Sequence, residues 1–130
     1  MTKTLPLQQE TDIVAIRHAV RQCAEEARLG LVSQTKIVTA ASEIARNALV
    51  YGGGGECTVA IARRDNRNAV HLVIADRGPG IADLERALVD GYTSGSGLGL
   101  GLSGSRRLVD EFSLESQVGV GTRVELWKWK

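Results

Sequence analysis

The chain is predicted to fold as an α+β two-layer sandwich, a mixed or antiparallel sheet with helices on one face, and three observations carry that expectation. Strand-like alternation comes in pairs, at residues 57–61 with 70–74 and again at 112–116 with 122–129. Helical periodicity comes in blocks set between those pairs, which argues against a strictly alternating parallel sheet. The 15 glycines stand against only 2 prolines and concentrate in a few short stretches, marking special backbone sites rather than flexible linkers.

Residues 4–8 suit a short edge strand, because Pro6 lacks an N–H and would interrupt the ladder of a central one. A helix then starts at Thr11, which can cap it. Ile13, Ile16, Val20, Cys23, Ala24 and Ala27 recur at steps of three and four until Gly30 stops it. A second helix begins near Ser33, with Ile37, Ala41, Ile44 and Ala48 as its apolar stripe, and the glycines at 52–55 end it. Glu43 and Asn47 sit one turn apart at the flank of that stripe. The first strand pair reads as a hairpin turned by residues 64–68, and its second strand runs into Asp76-Arg77-Gly78-Pro79-Gly80, a sharp turn at a strand end.

Asp83 is placed to cap a short helix through Leu84, Ala87 and Leu88. Residues 91–104 are rich in glycine, yet Leu98, Leu100 and Leu102 interleave with it, which points to a loop that docks rather than a solvated linker. Helix resumes towards Asp110, and the last two strands are joined by a turn around Gly119 and Gly121. No repeat or boundary divides residues 1–130, so a single domain is expected.

Composition narrows the function. The formal net charge of +1 gives no electrostatic footprint for nucleic-acid backbone or an anionic membrane. No apolar run approaches the ~20 residues of a membrane span, and residues 1–10 lack signal-peptide features, so a cytoplasmic location is expected. Cys23 and Cys57 lack CxxC spacing and a His cluster, which reads as two buried free thiols.

Gly99, Gly101 and Gly104 match GxGxxG, but no predicted strand enters the stretch and the acidic partner about 20 residues later is missing, so the dinucleotide reading fails on context. A Walker A loop is excluded because none of the lysines follows a glycine-rich run. The stretch from Gly97 to Gly101 nonetheless leads into a predicted helix, where backbone N–H groups and the helix N-terminus suit a phosphate chain. Three further pieces suit nucleotide chemistry. Glu43 can take a proton from an attacking hydroxyl, Asn47 can ligate Mg²⁺ through its carbonyl oxygen, and Asp76 can accept from the exocyclic amine of a base. Each has a bland alternative: an exposed helix pair for the first two, a turn-former for Asp76.

Taken together, these residues resemble a known superfamily. Glu43-Ile-Ala-Arg-Asn47 is similar to the N box, Asp76-Arg-Gly78-Pro-Gly80 to the first glycine box, and residues 95–104 to the second glycine box of the GHKL ATP-binding proteins. Ser42-Glu-Ile-Ala-Arg-Asn, Asp76-Arg-Gly-Pro-Gly-Ile, Leu98-Gly-Leu-Gly-Leu and Arg107-Leu-Val-Asp-Glu-Phe-Ser-Leu-Glu-Ser look like RsbT-type serine kinases over nearly the whole chain.

The resemblance implies a Bergerat fold with ATP between the helices and a lid. It implies that Asn47 holds Mg²⁺, that Glu43 is the general base towards a serine hydroxyl, and that Asp76 reads the adenine amine. By the same resemblance Gly78 and Gly80 shape the adenine pocket, Gly97, Leu98, Gly99, Leu100 and Gly101 wrap the triphosphate, and Thr122 approaches the base. The implied acceptor is a serine of a STAS-domain antagonist (RsbS-like), and the implied downstream partner is a PP2C-type phosphatase (RsbU-like). Anti-sigma kinases of the SpoIIAB and RsbW kind share the motifs, and a noncatalytic nucleotide-gated module is the further alternative. Arg46 and the short stretch between Gly80 and Gly97 look more like the RsbT branch. Arg106 and Arg107 suit either a phosphate or partner contact or a solvated face, and Arg63, Arg64 and Arg67 a charged hairpin end. Trp127 and Trp129 share one strand face, with core packing expected for at least one.

Overall fold

The computed structural model, which describes residues 2–81 and 102–130, joins five strands into one sheet. In chain order these are β1 (Thr2–Leu7), β2 (Gly55–Arg64), β3 (Arg67–Asp76), β4 (Glu111–Gln117) and β5 (Gly121–Trp129), and the spatial order is β1-β2-β3-β5-β4. Three helices are described: α1 (Glu10–Glu26), α2 (Leu31–Val50) and a short α3 (Leu102–Leu108). The α+β two-layer architecture is as expected, and of the mixed and antiparallel sheets left open it has the antiparallel one, since every neighbouring pair of the described strands is antiparallel. The reason is topological. After β3 the chain returns to the sheet at β4, which runs parallel to β3 at the far edge, and the hairpin then folds β5 back into the gap between them. The helix expected from Asp83 and the glycine stretch from Gly97 to Gly101 lie outside the described residues.

One face of the sheet is apolar because the strands alternate. Cys57, Ile74, Val124 and Leu114 form one cross-strand row on it, and Val59, Leu72, Leu126 and Phe112 the next. Against these rows pack Ile13, Ile16, Val20 and Cys23 of α1 and Ile37, Ala41, Ile44 and Ala48 of α2, all buried. β1 is an edge strand, as Pro6 requires. Cys23 and Cys57 are free and fully buried, and the Cys57 thiol is pushed up to about 12 by its burial, with Cys23 adding a smaller push in the same direction. No helix among the described residues is long and apolar enough to cross a membrane.

Some boundaries differ from expectation for identifiable reasons. α1 starts at Glu10 rather than at a Thr11 cap, because Asp12 Oδ2 accepts the N–H groups of Gln8 (2.8 Å) and Gln9 (3.1 Å) and satisfies the helix start one step earlier. It stops before Gly30, because Arg28 takes the left-handed conformation (φ 64°) and Leu29 N–H bonds Ala24 O at 3.0 Å. Gly30 instead begins α2, its carbonyl accepting Gln34 N–H at 2.9 Å. The β2–β3 hairpin turns at Asp65 and Asn66, both at positive φ, the geometry whose twist matches the flanking strands.

Trp127 and Trp129 lie on the outer face of the sheet, not in the core. They stack at 5.6 Å between ring centroids, Trp127 packs against His71, and the Arg64 guanidinium lies over both indoles and pairs with Glu111. Arg64, one of the arginines expected to form a charged hairpin end, thus covers aromatic surface of its own chain.

Leu72 is fully buried in the middle of the apolar face. Replacing it with alanine is expected to cost about 2–5 kcal/mol through lost burial and the cavity left behind. Urea unfolding of Leu72→Ala checks this, and an unchanged midpoint would show that the row is not packed.

Candidate functional site

The site begins where the apolar rows of the buried face end. The next row towards the strand termini is Gly55, Asp76, Thr122 and Ser116, each paired with its neighbour across β2, β3, β5 and β4. Three of the four are polar, on a face that is otherwise hydrocarbon. Asp76 Oδ1 accepts Gly78 N–H at 2.9 Å and Thr122 N–H at 3.3 Å, so the carboxylate is held by two backbone donors at the rim of the core. Thr122 Oγ1 lies 2.8 Å from Ser116 Oγ, which also accepts Ile81 N–H at 2.7 Å and reaches Gly121 O at 3.1 Å.

The turn after β3 folds tightly onto this row. A Cβ on Gly52 would lie 2.4 Å from Asp76 Cγ and 2.7 Å from Ala48 O, and one on Gly78 would lie 2.5 Å from Gly52 Cα. Neither position has room for a side chain, so the end of α2, the Asp76 carboxylate and the Gly78 turn are stacked in direct contact. Gly80 sits at φ 78° against Gln117 O, and Gly119 N–H bonds Pro79 O at 2.9 Å, tying the turn to the β4–β5 hairpin.

Facing the row is α2. Asn47 is half-buried and lines a slot together with Asp76 and Thr122, while Ile44, Ala48, Ile74, Ile81, Leu102 and Val124 supply its apolar walls. Those walls suit the flat faces of a base and the three polar groups its edge. The slot encloses about 20 Å³, room for a water rather than a purine, so base entry has to displace the walls. Two wider grooves of about 510 and 470 Å³ also reach Asp76, but Arg77, Glu56 and the loop glycines or β4–β5 residues line them and the apolar sandwich is absent. Glu43 is exposed, one helical turn before Asn47, and does not line the slot. Arg46 pairs with Glu10 at 3.5 Å on the surface. Arg106 and Arg107 are exposed on α3.

The structure therefore brings Asn47, Asp76 and Thr122 together, sets Gly78 and Gly80 in the turn beside them, and leaves Glu43 on the neighbouring surface. The donor set fits a nucleotide with its metal: a carboxylate held in place by backbone donors for the base edge, and a neutral amide of the kind that adds one oxygen to a cation otherwise held by phosphates and water. Ser116 and Gly52 are part of the site and were missed by sequence reasoning. The signal for Ser116 was present, since it and Thr122 stand three residues either side of Gly119, the centre of the predicted turn. Gly52 was read only as a helix terminator.

Comparison with known proteins agrees with this geometry. The sequence profile of the histidine kinase-, DNA gyrase B- and HSP90-like ATPases matches residues 32–130. The chain is 42% identical over 120 residues to the serine/threonine-protein kinase RsbT of Bacillus subtilis, covering 92% of this chain and 90% of that protein. It is 33% identical over 101 residues to the anti-sigma F factor of Bacillus licheniformis, covering 72% and 68% respectively. Among solved structures, the RsbU and RsbW domains of Rv1364c from Mycobacterium tuberculosis superpose with a TM-score of 0.67 at 20% identity, over 98% of this chain and about a third (31%) of that one. The SiaB-SiaC complex from Pseudomonas aeruginosa gives a TM-score of 0.56 at 22% identity, over 100% and 89%. These two likenesses concern the fold. The chain belongs to the histidine kinase-, DNA gyrase B- and HSP90-like ATPase family and, within it, to the RsbT-type serine/threonine-protein kinases.

Proposed function

We propose that residues 1–130 form a single kinase domain that transfers the γ-phosphoryl group of ATP to a serine of a STAS-domain antagonist. In this reading the kinase is a switch in a partner-switching pathway, and once released from the antagonist it activates a PP2C-type phosphatase. The observation that carries the reading is the Asp76 carboxylate, fixed by Gly78 N–H and Thr122 N–H in a slot with Asn47 and apolar walls. The 42% identity to an RsbT kinase over most of both chains supports the same conclusion.

Phosphoryl transfer depends mainly on positioning and charge neutralisation, so few polar side chains suffice. Asp76 presents its carboxylate to the exocyclic amine of adenine, with Thr122 beside it, and Gly78 and Gly80 let the turn lie against the base. Asn47 offers its amide oxygen to Mg²⁺, which when bound offsets the negative charge of the phosphates. Gly97, Leu98, Gly99, Leu100 and Gly101, which lie outside the described residues, are the residues proposed to bind the triphosphate. Glu43 takes the proton of the acceptor serine as its oxygen bonds the γ-phosphorus and the bond to ADP breaks. Its exposure on α2 suits an acceptor that arrives on a separate protein. The anti-sigma alternative draws on a relative that covers 72% of the chain at 33% identity, which supports it less than the RsbT relative supports the first reading.

The direct test is phosphotransfer from γ-labelled ATP with Mg²⁺ to a STAS-domain protein and to its serine-to-alanine variant. Label is expected on the unaltered acceptor only. A stable complex without label would favour a nucleotide-gated binding module. Glu43→Gln is expected to lower transfer about tenfold or more with ATP affinity nearly unchanged, and an equal loss of ATP binding would refute the base. Asn47→Ala is expected to weaken Mg-ATP binding itself, so native affinity in a calorimetric titration would remove it from the metal site. Asp76→Asn is expected to loosen the preference for ATP over GTP, and an unchanged preference would count against its role.

A further inference from the structure

Ser116 stands behind Thr122, on the far side from Asp76, with three polar neighbours and a single proton. A serine hydroxyl donates once and accepts twice. Ile81 N–H donates to Oγ at 2.7 Å, using one acceptor site. Gly121 O, 3.1 Å away, is a carbonyl and only accepts, so the Ser116 proton goes there. The remaining contact, 2.8 Å to Thr122 Oγ1, is then a bond only if Thr122 is its donor. Register fixes this arrangement, because Ser116 and Thr122 are direct cross-strand partners and Gly121 belongs to the same hairpin.

From this proton assignment we infer that Ser116 is a positioning residue that sets the hydrogen-bond polarity of the site and makes it select an amino over an oxo group at the purine edge. The inference rests on the adenine reading of Asp76 above. With its proton committed to Ser116, the Thr122 hydroxyl keeps acceptor capacity and has nothing to donate. Its neighbour Asp76 is a carboxylate and also only accepts. The nearby backbone donors, Gly78 N–H, Thr122 N–H and Ile81 N–H, are spent inside the protein. Asn47 stands across the slot on α2, and in the reading above its amide oxygen goes to the metal; its NH₂ group is common to the unaltered protein and to the Ser116 variants, so it does not enter the comparison between them. A 6-amino group meets two acceptors with two protons. A 6-oxo group meets the same acceptors with lone pairs and loses the water that solvated it.

The test compares the affinities of ATP and ITP, which differ at the 6-position and the adjoining N1, by calorimetry with Mg²⁺. The unaltered protein is expected to prefer ATP. In Ser116→Ala the Thr122 proton is released and can turn towards the oxo group, so the ATP-to-ITP preference is expected to fall by about fivefold or more. Ser116→Thr, which keeps a hydroxyl, is expected to retain the preference. A purely structural role, through the lost anchor of Ile81, would weaken both nucleotides alike and leave their ratio unchanged, and that result overturns the inference. If the unaltered protein shows no preference, the adenine reading fails and the inference with it. If it prefers ATP, Asp76→Asn lowers that preference and Ser116→Ala does not, the reading stands and Ser116 alone is refuted. Should Ser116→Ala not fold, Ser116→Cys, close in shape but a poor acceptor for the Thr122 hydroxyl, is read by the same ratio.

Discussion

A carboxylate at the rim of a hydrocarbon core is the constraint around which this structure is arranged. Asp76 continues the buried face of β3 directly after Leu72 and Ile74, so its charge sits where the alternation would otherwise place another aliphatic side chain. Removing a carboxylate from water is costly unless fixed dipoles replace the solvent. The turn that follows supplies one such dipole through Gly78, and the neighbouring strand supplies another through Thr122. The backbone of Gly52 closes against the other side of the same carboxylate, where a Cβ would lie 2.6 Å from Oδ2. The glycine at the end of α2, the bend after β3 and the start of β5 thus answer to one side chain.

The same face of the sheet serves as core and as site, and the change from one to the other takes a single row. Cys57, Ile74, Val124 and Leu114 are hydrocarbon or thiol, whereas Gly55, Asp76, Thr122 and Ser116, one step along, carry the polar chemistry. α2 mirrors this change. Ile44 and Ala48 of its buried stripe reach the slot, and Asn47 stands on the same wall at the stripe's flank. A base bound here would have packed aliphatic side chains on its faces and polar groups at its edge, with the precision of both set by strand register rather than by loops.

Much of this was legible in the chain itself, because alternation and helical spacing report burial directly. The hairpin of β2 and β3, the two long helices and the final strand pair follow from where Ile, Val, Leu and Ala recur, and the Asp76-Arg77-Gly78-Pro79-Gly80 run announced a special strand end. The remainder depended on partners distant in sequence. Nothing local says that β5 enters between β3 and β4, so the sheet could be read only as mixed or antiparallel. Asp12 takes over the start of α1 because it reaches back to Gln8 and Gln9, and Arg28 ends the helix in a conformation more often left to glycine. Core packing was expected for at least one of Trp127 and Trp129, yet both lie on the outer face, where Arg64 covers the two indoles and His71 packs against Trp127. Ser116 was overlooked because a serine in a strand carries no pattern of its own, and only counting outward from the turn at Gly119 sets it opposite Thr122.

The placement of β5 has a consequence for how the protein is made. As the last of the five described strands in sequence and an interior strand of the sheet, it contributes Thr122 to a row whose other members come from β2, β3 and β4. During synthesis β1, α1, α2, β2 and β3 can gather into a partial layer as they emerge, but β4 has no neighbour to pair with until β5 is complete. The free edge of β3 stays open through that interval, with its backbone groups unpaired. The candidate site therefore stays incomplete until β5 has entered between β3 and β4, and competence to bind a nucleotide would report that this pairing has formed.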